Sequence, residues 1–244
     1  MNLRIDNKTS FVDNFLLPLS KIENASVLSI NSTGFSSLLA AADNTAIIYA
    51  TYKKDIESLE PVKLNIPDLN RLIKILNCIP SNDIELEITT NSIKYEGNNI
   101  RFTYHLLEDG ILSVPPLSVE KIKQLTYDTV FEINYSSFVN LIKGSTFISN
   151  LNKIYFFTRD GAVYTELSDK QMHNVDSITF KLSDQYKGTA IETSIPVNFE
   201  TIRNIINTKF NNAKVHVNNK FNVIAFEVCN ENIKNTYIIS GLLK

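Results

Sequence analysis

The side chains from which catalysis or metal binding would have to be built are few in this sequence. His105, His173 and His216 stand far apart in segments of unrelated pattern, without the spacing of a metal-ligand set. Glu85 and Glu87 alternate along one apolar-polar run, so they share a strand face that meets water or, as the alternative reading, a cation. Glu108 and Asp109 lie in a turn-rich stretch where carboxylates are ordinary. Cys78 follows an apolar helical segment and Cys229 ends an apolar strand, which reads as core or boundary thiols rather than nucleophiles. The sequence has no glycine loop to cradle phosphates, no nucleophile elbow and no paired-cysteine motif. The expectation is a protein that is not an enzyme, with no catalytic residues, no metal and no cofactor.

Composition narrows the class further. The 244 residues carry 24 Lys+Arg against 26 Asp+Glu, with 43% hydrophobic residues and only seven Gly and seven Pro. That supports a folded protein with a sizeable core and excludes disordered or collagen-like chains. A net charge of −2 excludes nucleic-acid binding by bulk positive charge, but not by cations sorted onto one surface. No apolar run is long enough to span a bilayer, and the start Met1-Asn2-Leu3-Arg4-Ile5-Asp6 lacks the apolar stretch of a signal peptide. The expected location is intracellular.

The elements that would position any site recur four times as a short amphipathic helix followed by strand-like runs. The first helix is expected over 8–21, with Phe11, Phe15 and Leu19 on one face and Pro18 stopping or kinking it. Strands follow at 26–30, 46–52 and 62–66. The second helix starts at Pro67-Asp68, and Leu69, Leu72, Ile73 and Leu76 give its apolar stripe. Strands at 84–89, 92–95 and 100–104 come next, with Gly97-Asn98 as a turn. The second half repeats the plan with strand 130–133, helix 136–143, a hairpin across Asp160-Gly161 and strand 177–182. Strand 193–197, helix 198–209 and three further strands complete it. Between the halves, Asp109-Gly110 and Pro115-Pro116 interrupt regular structure. The expected class is α+β, strand-rich, with short helices laid on sheets.

The polar faces of the helices are weakly basic. Opposite the apolar stripes lie Lys8 and Lys21 on the first helix and Arg71 and Lys74 on the second. Lys143 lies on the third, and Arg203 and Lys209 on the fourth. Each helix window carries a net +1, so the remainder of the chain carries −6. Solvated helix faces are polar in any protein, which is one reading; the other is a surface that touches phosphates without reading bases.

Four helix-plus-strands units in two halves, joined by an extended connector, resemble a DNA sliding clamp of the PCNA-like superfamily. Three stretches are most similar to clamps of T-even-type bacteriophages. They are the run from Ile66-Pro67-Asp68-Leu69-Asn70-Arg71 to Leu76, Leu167-Ser168-Asp169-Lys170 through Leu182-Ser183-Asp184, and Thr193-Ser194-Ile195-Pro196-Val197-Asn198-Phe199. The resemblance implies a clamp domain over 1–106, an interdomain connector over 107–124 and a second clamp domain over 125–244. It further implies a homotrimeric ring of six domains, with twelve helices lining the hole and sheets forming the outer wall. Such a ring would carry about +12 inside and −18 outside if all four windows face the hole.

In function, the resemblance implies a processivity factor that encircles duplex DNA and tethers a DNA polymerase. An ATP-driven clamp loader would load it in the cytoplasm of an infected host cell, and some clamps of this type also assist late transcription. Subunit contacts would pair Ile100, Phe102 and Tyr104 with Ile178, Phe180 and Leu182 of a neighbour, removing two exposed strand edges. A partner-peptide pocket would fall at Ala46, Ile111, Leu112, Val114, Tyr237 and Ile239. The alternative is a structural or assembly protein of a virion with a repeated strand-rich fold.

Overall fold

The computed structural model describes residues 1–56, 60–112, 115, 117–148, 151–168, 176–206 and 210–242. Two compact units divide the chain. One comprises 1–42, 48–119 and 230–235; the other comprises 43–47, 120–229 and 236–244. The expected connector, 107–124, is thus divided between them, and it is not irregular throughout: Val119–Lys123 is a short helix.

In the first unit the strands are β1 (Asn2–Ile5), β2 (Ser26–Asn31), β3 (Gly34–Ala40), β4 (Ala46–Lys53, from Ile48 on), β5 (Val62–Ile66), β6 (Ile84–Ile88), β7 (Ser92–Glu96) and β8 (Arg101–His105). They form an antiparallel sheet β1-β6-β7-β8 and a second run ordered β4-β3-β2-β5. Strand β3 has no counterpart among the expected strands, because Phe35-Ser36-Ser37-Leu38-Leu39 lacks clean alternation. Its first residue, Gly34, sits at φ +124°, and a Cβ there would meet the Tyr52 carbonyl at 2.0 Å, so only glycine fits.

The first helix runs over Lys8–Ser10, Phe11–Leu16 and Leu17–Ser20, and its middle section is π-helical, with the Leu17 N–H reaching the Val12 carbonyl. Pro18 therefore does not stop it. The wider π turn precedes a residue that lacks an N–H and whose ring crowds the carbonyl one turn back. Phe11, Phe15 and Leu19 are buried as their spacing required. Phe11, Phe15, Phe35 and Tyr52 form one aromatic cluster with centroids 5.2–6.4 Å apart. Each such contact adds about 0.5–1.5 kcal/mol beyond the area it buries.

The second unit has β9 (Thr129–Asn134), β10 (Lys153–Arg159), β11 (Ala162–Ser168), β12 (Ser177–Ser183), β13 (Lys187–Gly188), β14 (Ile195–Asn198), β15 (Asn212–Asn218), β16 (Val223–Asn230) and β17 (Ile233–Ser240, from Thr236 on). Sheet β12-β11-β10-β14 and the run β13-β9-β15-β16-β17 repeat the plan of two sheets with helices. Asp160 and Gly161 both take positive φ, 50° and 77°, as a two-residue hairpin between β10 and β11 needs. The core again centres on aromatics, with Phe138, Phe210, Phe226 and Phe156 packed edge-to-face at 5.8–6.2 Å.

A repeat that apolar patterning alone does not reveal lies at the helix starts. Asn7 accepts from the Ser10 N–H at 2.9 Å, Asp68 from Arg71 at 2.8 Å and Asn134 from Ser137 at 2.8 Å. Asn198 accepts from Glu200 and Thr201 at 2.8 and 3.3 Å. Each of these four helices thus opens on an Asn or Asp cap that satisfies otherwise unpaired donors. The signal is present in the sequence as an Asn or Asp ahead of each apolar stripe.

Candidate nucleic-acid interface

The clearest cationic face belongs to the helix Leu69–Asn77. Leu69, Leu72, Ile73 and Leu76 are buried, which leaves Asn70, Arg71, Lys74 and Asn77 exposed on the other side. Arg71 and Lys74 stand one turn apart, with no carboxylate in an ion pair with either among the described residues. The cap fixes where this face begins. The Arg71 N–H holds the Asp68 carboxyl below the usual carboxylate range against the opposing effect of burial, aided by the Asn24 amide and the charges of Lys74 and Arg71. From the other side, the Tyr104 hydroxyl donates to the Asp68 carbonyl at 2.7 Å and accepts from its N–H at 3.1 Å. Burial raises the Tyr104 phenol, keeping it a neutral donor.

Lys21 is exposed just past the first helix. Lys8, expected on the same polar face, is buried at 6% exposure, its ammonium donating to the Ile79 carbonyl. The correction has a local cause: Lys8 opens the helix beside the 79–82 turn, where its own N–H also bonds the Asn82 carbonyl at 2.7 Å. It is an internal tie rather than a surface cation.

In the second unit, Tyr135–Ser145 buries Phe138 and Leu141 and exposes Ser136, Asn140 and Lys143. Arg203 is exposed on Phe199–Ile206, but Glu200 sits 3.2 Å away one turn earlier, so its field is partly offset. Lys209 lies outside the described residues. The exposed helix cations are therefore Lys21, Arg71 and Lys74 in the first unit and, in the second, Lys143, with Arg203 in an exposed pair.

The residues expected at subunit contacts divide in the same way. β8 and β12 are both edge strands, each paired on one side. Ile100 is not in β8; it belongs to the preceding turn, where its carbonyl accepts from the Gly97 N–H at 2.9 Å. Phe102 and Tyr104 alternate inward, and Phe102 stacks on Tyr95 at 5.9 Å. What β8 offers outward is its backbone edge with Arg101, Thr103 and His105 exposed. On β12, Ile178 and Phe180 are half-buried and Leu182 is buried. Phe180 packs so closely on Gly144 that a Cβ there would meet its ring at 2.3 Å.

Of the expected partner-pocket residues, Ala46, Tyr237 and Ile239 are core residues of the second unit at 3%, 1% and 1% exposure. Ala46 lies on the inward side of the alternating β4, and Tyr237 and Ile239 lie in the stretch 235–239 of β17 that is buried throughout. In the first unit Ile111 is 60% exposed and Leu112 half-buried. Val114 lies outside the described residues.

Neither thiol is in the core: Cys78 and Cys229 are both exposed. Cys78 occupies a helix end, where its thiol donates to the Lys74 carbonyl at 3.3 Å. His216 lies 3.6 Å from Glu227 and against the Tyr127 ring. No group of three His, Cys, Asp or Glu suited to a metal exists among the described residues, and no helix there is long and apolar enough to cross a membrane.

No protein-family model matches the sequence, and no curated protein matches it. Solved structures do match. PCNA of A. fulgidus, in a complex with the C-terminal region of FEN-1, superimposes with a TM-score of 0.80 at 13% identity over 100% of this chain and 98% of that one. Proliferating Cellular Nuclear Antigen from Entamoeba histolytica gives 0.77 at 13% identity over 99% and 98%. A chain of the PCNA2-PCNA3 complex from Sulfolobus tokodaii gives 0.76 at 12% identity over 99% of each. At such identity the likeness is one of fold: the chain has the DNA-clamp fold of the PCNA-type sliding clamps.

Proposed function

We propose that this protein is a sliding clamp of the T-even phage type, a homotrimer that encircles duplex DNA and tethers the replicative polymerase. An ATP-driven loader opens it, and it performs no catalysis of its own. The observation that carries this reading is the clamp fold over the whole chain. The two domains of the reading are 1–106 and 125–244, with 107–124 between them. Exposed cations on capped helices support DNA contact, since sparse phosphate contacts exchange readily and leave the protein free to slide. Topological linkage, not affinity, supplies processivity. The open edges of β8 and β12 support head-to-tail closure through backbone pairing, and the exposed Ile111 and half-buried Leu112 support a partner contact at the connector. The place of action is the cytoplasm of an infected cell, and assistance to late transcription belongs to the same reading.

The test combines mass and topology. Light scattering on a sizing column is expected to give about 83 kDa, three times the 27.6 kDa chain. Protein loaded on nicked circular DNA is expected to stay through a high-salt wash and leave after linearisation. A strict monomer at every concentration, or retention indifferent to linearisation, would falsify the reading.

A further inference from the structure

A groove of about 800 Å³ in the first unit lies between β5 and the β1–β6 edge of the other sheet. Strand β5 is terminal in its sheet and pairs with β2 alone. Its ladder fixes which backbone groups face outward. The Val27 carbonyl accepts from Ser37, on the β3 side, so Val27 and Ser29 turn away from β5. Their register partners Asn65 and Lys63 therefore direct their own N–H and C=O away from the ladder, toward the groove. One of these groups is already used as an added strand would use it: the Asn65 carbonyl accepts from the Leu107 N–H at 2.9 Å. Among the described residues no partner bonds the outward backbone groups of Lys63.

The walls of the groove alternate in character. The half-buried Val62 and Leu107 supply apolar surface, while Glu60, Glu108 and Asp109 line the same groove as Lys63 and the Met1 amine. That amine is occupied by the Ile88 carbonyl at 2.7 Å, and Asp109 accepts from the Asn65 amide at 2.7 Å. Glu60, Glu108 and Lys63 are exposed.

We propose that the outer edge of β5 is a strand-addition site for an extended peptide of a partner protein, one whose residues alternate between apolar and basic. The peptide backbone pairs with Lys63, its apolar side chains lie over Val62 and Leu107, and its cations meet Glu60 and Glu108. The site is distinct from Ile111 and Leu112 and does not depend on ring formation.

The probe is a fluorescein-labelled hexapeptide of alternating valine and lysine, titrated onto the full chain by anisotropy. Saturable binding is expected. Glu60→Lys with Glu108→Lys is expected to weaken it by about tenfold or more, since like charges then face each other across the contact. Lys63→Pro removes the outward N–H and is expected to weaken binding about tenfold while retaining the wild-type melting temperature, because edge positions tolerate proline. If that variant melts early, a peptide N-methylated on its pairing edge replaces it against wild-type protein, with the same expected loss. Equal binding of the N-methylated peptide, or of a valine-glutamate peptide, overturns the proposal. So does absence of binding, or occupation of the edge by a second copy of the chain, seen as dimerisation abolished by Lys63→Pro.

Discussion

Replacing Asp68 by alanine tests the link between helix capping and the cationic face. In the structure the Asp68 carboxylate accepts from the Arg71 N–H at 2.8 Å and from the Asn24 amide at 3.0 Å. Alanine leaves the Arg71 donor to water and loosens the first turn of the helix that carries Arg71 and Lys74. Loss of a cap costs about 1 kcal/mol, and loss of a negative charge at a helix start adds a few tenths, roughly 0.3 kcal/mol for an exposed site. For a chain of this size that corresponds to a fall in melting temperature of about 3–5 °C. Asp68→Asn separates the two contributions, because it keeps the accepting oxygen and removes the charge. At neutral pH it is expected to melt within about 1 °C of wild type.

The carboxyl is held below its ordinary range in the folded state, first by the Arg71 N–H. Its contribution is therefore complete above the unfolded-state pKa and is lost as pH falls through the lower folded-state value. The wild-type advantage over Asp68→Asn should accordingly shrink in acid, and scanning calorimetry from neutral pH down into the carboxylate range reads it directly. If Asp68→Ala melts with wild type, or Asp68→Asn is as damaging as alanine at neutral pH, the cap does not set this helix as described.

The same region yields two further expected outcomes. Arg71→Glu with Lys74→Glu reverses an exposed face without touching the core, so native mass should be unchanged while retention on DNA falls. If each cation meets one phosphate, the salt dependence of DNA binding should flatten by roughly 2 in log-log slope per chain, and an unaltered slope would remove this face from the interface. Tyr104→Phe leaves the Asp68 N–H and carbonyl without the hydroxyl that joins them, and urea unfolding should show a loss of about 1–3 kcal/mol. A loss under about 0.5 kcal/mol would mean that water replaces the hydroxyl and that β8 does not anchor the helix.

The part of the molecule legible in the sequence is the part that local periodicity determines. Leu69, Leu72, Ile73 and Leu76 recur at helical spacing, so the exposure of Arg71 and Lys74 opposite them needs no tertiary knowledge. Phe11, Phe15 and Leu19 locate the first helix for the same reason, and where Pro18 argues for a stop or a kink the chain has a π-helical section just ahead of it. Strand β3 escapes because its serines blur the alternation on which strand recognition depends. The charges of the site are less legible, for a physical reason. Periodicity says which way a side chain leaves the helix, but not what meets it there. Lys8 ends on a carbonyl 71 residues away, Arg203 on a carboxylate one turn back, and Tyr104 on the backbone of a cap 36 residues earlier. The formal +1 on the first helix therefore overstates its exposed charge, whereas that on the fourth already counts Glu200 against Arg203, and under the proposed function phosphate contact rests most firmly at the place where neither an ion pair nor a buried carbonyl takes the cation. In the first unit that place is the Arg71–Lys74 face, and in the second it is Lys143, so substitutions there should weigh more heavily on DNA retention than any at Lys8 or Arg203.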